Sequence, residues 1–117
     1  MRSAEAAAAA ALQPAEIQDL PTVKITKPKA ATKKVTVKWK KVSKKNRKKI
    51  QGIEIQVSKD KGFTQIVKTT TAKMTKTTKV VKGLKRKTTY WVRIRAYKNA
   101  ADGKHVSAWK VKKVRTR

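Results

Sequence analysis

Residues 83–97, GLKRKTTYWVRIRAY, decide how the rest of the chain is read. From Tyr90 onward, Tyr90, Val92, Ile94 and Ala96 share one parity, and Trp91, Arg93, Arg95 and Tyr97 share the other. A period of two belongs to a half-buried strand, whereas a helix would scatter both sets. The first set is therefore assigned to a core and the second to an outer face that is both cationic and aromatic. Ahead of the strand, Gly83-Leu84 followed six residues later by Tyr90 predicts a corner. Its leucine plugs the core, and the Tyr90 hydroxyl donates to a backbone carbonyl near residues 85–87.

Working outward, residues 34–40 (KVTVKWK) alternate Val35, Val37 and Trp39 with lysine or threonine, a strand with one wet face and with Trp39 at the centre of the core. After a loop at 40–49, Ile53, Ile55 and Val57 alternate with Glu54, Gln56 and Ser58 in a further strand. Residues 20–26 (LPTVKIT) read as a first edge strand with proline at its start, and Pro28 with Ala-Ala-Thr as a turn. Asp60 and Gly62 supply turn chemistry before Phe63, which is expected to pack over the edge of the core. Residues 66–71 form a threonine-rich strand, and residues 75–81 a strand with Val81, rather than Val80, facing inward. Residues 99–104 (NAADGK) make a polar hairpin turn. The last strand carries Trp109, Val111 and Val114, whose final step of three calls for a β-bulge or a departure from the sheet.

Seven strands with no helical pattern between them predict an all-β chain, an antiparallel immunoglobulin-like sandwich with Greek-key connections. The tryptophan in VTVKWK, the run GIEIQVS, the corner GLKRKTTY and the continuation WVRIRAY resemble the fibronectin type III domain. In lysine-rich form they look most like modules of Gram-positive bacterial surface or secreted proteins. One departure stands at the corner, where the family usually carries glycine two residues before the Thr-Tyr pair and this chain has Lys87 and Thr88 near that place, which leaves the turn type open. The domain is expected at residues 21–117. Residues 1–20 form an alanine-rich tail or linker, helical at 3–13 or disordered, in which Glu5, Glu16 and Asp19 oppose only Arg2.

Lysine and arginine number 33 against six acidic residues, a net charge of +27. Such a field attracts nucleic acid, anionic lipid headgroups or acidic polymers without choosing among them. With no cysteine there is no disulfide, thiolate metal site or cysteine nucleophile. No apolar run is long enough to span a bilayer, and the N-terminus is a poor match to a secretory signal, so an exported form is expected to be part of a longer chain. His105 is the only histidine, and Glu54, Asp60 and Asp102 form no pair by spacing. With no GxxxxGK loop either, no enzyme, metal or cofactor is expected. The candidate contact face is Trp91, Arg93, Arg95 and Tyr97, flanked by Lys110 and Lys112 of the last strand, where rings and guanidinium groups would meet glycan or anionic polymer.

What the resemblance implies is a non-enzymatic spacer or adhesion module, extracellular or at a cell surface, whose partners are wall polymers, glycans or neighbouring modules. A structural or decoration protein of a virion is the alternative. Sequence-nonspecific nucleic-acid binding is the third reading, resting on charge alone. The turn NAADGK carries no Arg-Gly-Asp tripeptide, so that route to integrins is not supported.

Overall fold

The computed structural model describes residues 16–117, and the helix expected at residues 3–13 lies outside them. Strands run β1 (Glu16–Gln18), β2 (Lys29–Ala31), β3 (Lys34–Lys38), β4 (Gly52–Ser58), β5 (Ile66–Lys73), β6 (Thr78–Val81), β7 (Thr89–Ala100), β8 (Gly103–Val106) and β9 (Lys110–Arg115). A single helical turn, α1 (Lys44–Arg47), is capped by the Ser43 side chain and interrupts the loop after Trp39. One sheet has the order β1-β8-β7-β4-β5 with β9 also on β7, and the other the order β2-β3-β6. The two faces meet in a sandwich core.

Alternation decides which residues enter that core. Val35, Val37 and Trp39 from one sheet pack with Ile53, Ile55, Val57, Tyr90, Val92, Ile94 and Ala96 from the other, joined by Leu84. Val81 is buried while Val80 is 43% exposed, as the spacing to Leu84 predicts. At the corner, Gly83 and Lys87 both adopt left-handed conformations, with φ of 75° and 48°. Lys87 thus holds, with a full side chain, a conformation that favours glycine. The Tyr90 hydroxyl reaches the corner but accepts from the Lys85 N–H at 2.9 Å rather than donating to a carbonyl. The carbonyl of Lys85 is taken instead by the Thr116 hydroxyl at 2.5 Å, which also accepts from the Thr88 N–H.

Several boundaries differ from the expected ones. Pairing starts at Glu16, ahead of the Pro21 boundary, because β1 adds in parallel to the edge strand β8. The strand expected at residues 20–26 reduces to a bridge between Ile25 and Trp39. The Ala-Ala stretch expected to turn is instead paired: β2 and β3 form a hairpin whose tip is Thr32-Lys33. The final strand is broken in two. Tyr97 pairs with Val106 and Ile94 with Lys110, so three residues at 107–109 oppose two on β7. That extra residue is a bulge, but it lies ahead of Val111, and the step of three holds no irregularity: Val111 opposes Arg93 and Val114 opposes Tyr90 in one regular ladder, so the two valines take opposite faces.

Candidate functional site: the outer sheet face

Antiparallel register places directly opposed side chains on the same face of a sheet. β4 and β7 oppose Gly52 to Tyr97, Glu54 to Arg95, Gln56 to Arg93 and Ser58 to Trp91. The first three pairs are complementary. A Cβ on Gly52 would stand 3.0 Å from both the Ala72 carbonyl and the Tyr97 ring, so the glycine is what lets that ring lie across the strand. Gln56 Oε1 accepts from Arg93 Nε and Nη2 at 2.9 and 2.6 Å. Glu54 Oε1 accepts from Arg95 Nε at 2.6 Å, while Glu54 Oε2 accepts from Lys104 Nζ at 2.7 Å.

The bulge turns Trp109 onto this face, between the two arginines. Its ring lies 4.1 Å from the Arg93 guanidinium carbon and 4.2 Å from that of Arg95. Phe63 covers the far side of Arg93 at 4.2 Å. The order is therefore Phe63, Arg93, Trp109, Arg95, an alternating stack of rings and cations. Phe63 is buried here, on the outer face, and takes no place in the core cluster beside which it was expected. Glu16 of β1 then closes the stack, accepting from Arg95 Nη1 and Nη2 at 3.1 and 2.7 Å.

Arg95 is consequently buried, with 8% of its surface exposed, although its parity is outward. Burial disfavours its charge, but the hydrogen bonds it donates to Glu16 and Glu54 outweigh that and raise its pKa. Burial likewise pushes the Glu54 carboxyl up, yet the bonds from Lys104 and Arg95 prevail and hold it below the usual range. Arg93, facing a neutral amide, is lowered by burial and by its neighbour Arg95.

The flanking lysines stand elsewhere. Lys110 and Lys112 oppose Ile94 and Val92, which places them on the core-side parity of the edge strand and not beside Arg93. The one-residue bulge is the physical reason, since it shifts every later residue of the strand to the other face. Val111 and Lys113 take the outer positions, with Lys113 Nζ 5.7 Å from the Trp91 ring. Exposed charges of inward parity on a sheet edge also discourage edge-to-edge pairing.

At the sheet's other end His105, for which no partners were expected, sits between two carboxylates. Its Nδ1 is 2.8 Å from Asp19 and its Nε2 is 2.8 Å from Asp102. Hydrogen bonds to Asp102 and then Asp19 raise its pKa, as befits an imidazolium donating from both nitrogens. Asp60 caps its own turn. It accepts from the hydroxyls of Thr64 and Ser58 and from the Thr64 and Gln65 amides, which hold its pKa far below the usual carboxylate range.

Residues 19–111 match the family model of the fibronectin type III domain. No curated protein matches the chain. A fibronectin type III domain of human contactin 1 is 16% identical with a TM-score of 0.66, over 86% of this chain and 82% of that one. A domain of the same type from human collagen α-1(XX) is 14% identical with a TM-score of 0.59, over 83% and 85%. A computationally redesigned β-sandwich protein is 19% identical with a TM-score of 0.58, over 84% and 91%. At these identities the likeness shows the fold.

Proposed function

The chain belongs to the fibronectin type III family, and from that premise we propose a non-enzymatic spacer or adhesion module of an extracellular or cell-surface protein, drawn to anionic polymers by uncompensated charge. Domains of this family are commonly structural or adhesion modules that mediate protein–protein contact. Among the described residues, no helix is long and apolar enough to cross a membrane.

The observation that carries the reading is the fate of the carboxylates. Among the described residues, Glu16 and Glu54 are taken by Arg95 and Lys104, Asp19 and Asp102 by His105, and Asp60 by its own turn. Among the described residues the remaining lysines and arginines find no carboxylate partner. Apart from Arg93, which is bonded to Gln56, their charge acts outward as a field. The Arg93–Arg95 stack, by contrast, spends its donors internally and serves to fix β1, β8 and the bulge onto β7. Lysine-rich surface of this kind suits phosphate-bearing wall polymers among possible partners.

The test is binding of labelled long-chain polyphosphate, neutral dextran and two DNA duplexes of unrelated sequence. We expect polyphosphate and both duplexes to bind and dextran not to. A preference of about tenfold or more for one duplex, equivalent to about 1.4 kcal/mol of sequence readout, would overturn the reading. Failure to bind polyphosphate at about 0.15 M salt, where the screening length is about 8 Å, would do so as well.

A further inference from the structure

Within that field several grooves are lined by cations, and one of them gathers six. Where the edge of the small sheet meets β9, a groove of about 490 Å³ opens between residues 27–30 and the C-terminal strand. Six cations line it: Lys27, Lys29, Lys38, Lys113, Arg115 and Arg117. No Asp or Glu side chain does. None of the six takes part in an ion pair among the described residues, whereas the arginines of the outer face are bonded to Gln56, Glu54 and Glu16.

We propose that this groove is a binding site for a linear phosphate polymer that carries no bases. The inference rests on the polyanion reading and localises it. Like charges gathered in a concave surface focus the field, so an anion there meets several cations at once. Arg115 and Arg117 supply planar forks that hold phosphate bidentately, and the lysines supply point charges on flexible stems. The walls are set by backbone rather than by mobile side chains. The Arg117 N–H donates to the Ala31 carbonyl at 3.1 Å, tying the last strand to β2. Lys29 is fixed opposite Thr36 in the β2–β3 ladder.

The choice of a polymer without bases follows from the lining. Its apolar residues include Ala30 and Val114, and no aromatic ring is among the residues lining it. Base-binding grooves draw about 1–3 kcal/mol per base from stacking on rings. This one has only charge to offer, directed at closely spaced phosphates. A groove of similar size near Tyr97 has three lysines, Lys73, Lys76 and Lys79, and no arginine.

The experiment compares two triple variants of the full chain with equal change in charge. One is Lys29→Gln/Arg115→Gln/Arg117→Gln in the groove. The other is Lys44→Gln/Lys45→Gln/Lys48→Gln at α1, where all three side chains are also exposed. At about 0.15 M salt, the groove triple should bind polyphosphate at least about tenfold more weakly than the α1 triple. Equal losses would overturn the groove while leaving the field intact, and no binding by the parent would instead refute the field. Amide shifts of the parent on adding polyphosphate supply a readout independent of variant folding. They should concentrate at residues 27–31 and 113–117, and shifts spread evenly over the lysine-rich surface would count against the site. Binding of oligo-dT about tenfold tighter than polyphosphate of equal charge would contradict the base-free assignment, since stacking would then be at work.

Discussion

Arg95→Ser is the perturbation on which the outer face turns, because a solvent-facing arginine and an internal clamp predict different losses. The side chain is 9% exposed, and its guanidinium makes one bond to Glu54 and two to Glu16. Breaking a buried pair from one side costs roughly 3–5 kcal/mol, because the survivor keeps an uncompensated charge. Glu54 retains Lys104 at 2.7 Å, which reduces that penalty. The Glu16 side chain is 50% exposed, so its bridge contributes no more than about 1 kcal/mol. Loss of stacking on Trp109 adds roughly 0.5–1 kcal/mol. Together these give a loss of about 3 kcal/mol, a large share of the ~5–15 kcal/mol that holds a domain of this size folded. Urea denaturation at low salt reads it as a fall in midpoint at unchanged slope. Arg93→Ser, bonded to a neutral amide, should lose about 1–2 kcal/mol. If Arg95→Ser fell within about 0.5 kcal/mol of the parent, as ordinary surface changes do, the clamp would be refuted.

Three further outcomes follow from the corner and the histidine. Tyr90→Phe strips the acceptor from the Lys85 N–H and should lose about 1 kcal/mol in the same urea assay; no loss would mean that water replaces the hydroxyl freely. Lys87→Gly relieves a left-handed conformation costing about 1–2 kcal/mol and adds back roughly 0.5–1 kcal/mol of unfolded-state entropy, so a net gain of about 0.5 kcal/mol is expected. A measured loss would show that the lysine stem is needed at the corner. His105 has a raised folded pKa, so its contribution to stability is complete below the unfolded value of about 6.5 and disappears as pH rises through the folded value. Asp102, lowered by the same bond, contributes above its unfolded value and loses that contribution as pH falls through the folded one. The Tm difference between the parent and His105→Gln should therefore be largest at about pH 5–6 and shrink toward about pH 9, and a difference constant with pH would contradict the ion pairs.

Alternation made the core legible. Trp39, Ile55, Leu84, Tyr90, Val92 and Ile94 all lie in one cluster, as their parity predicts. It also put Arg93 and Arg95 on the correct face, but parity says which side a residue points to and not what lies above it. The cover comes from sites distant in sequence: Glu16 ahead of the expected domain boundary, Phe63 from a turn and Trp109 from a bulge. Part of it was readable, since laying GIEIQVS antiparallel to WVRIRAY brings Glu54 opposite Arg95 and Gln56 opposite Arg93. The bulge was the decisive obscurity. The valine spacing pointed to an irregularity between Val111 and Val114, where the ladder is regular, whereas the bulge lies at residues 107–109 and sends Lys110 and Lys112 to the other face. The groove was likewise beyond reach, because it joins residues 27–30 to the C-terminal strand across the gap between two sheets.

In the function proposed above, uncompensated surface charge, rather than a stacked aromatic face, carries binding. Its most direct measurement is the affinity for polyphosphate across a salt series, plotted as log K against log salt concentration. If the six groove cations neutralise phosphates, counterion release at about 0.7 per contact predicts a slope of about −4. A slope shallower than about −1 would mean that at most one or two charges are engaged, and would contradict the claim.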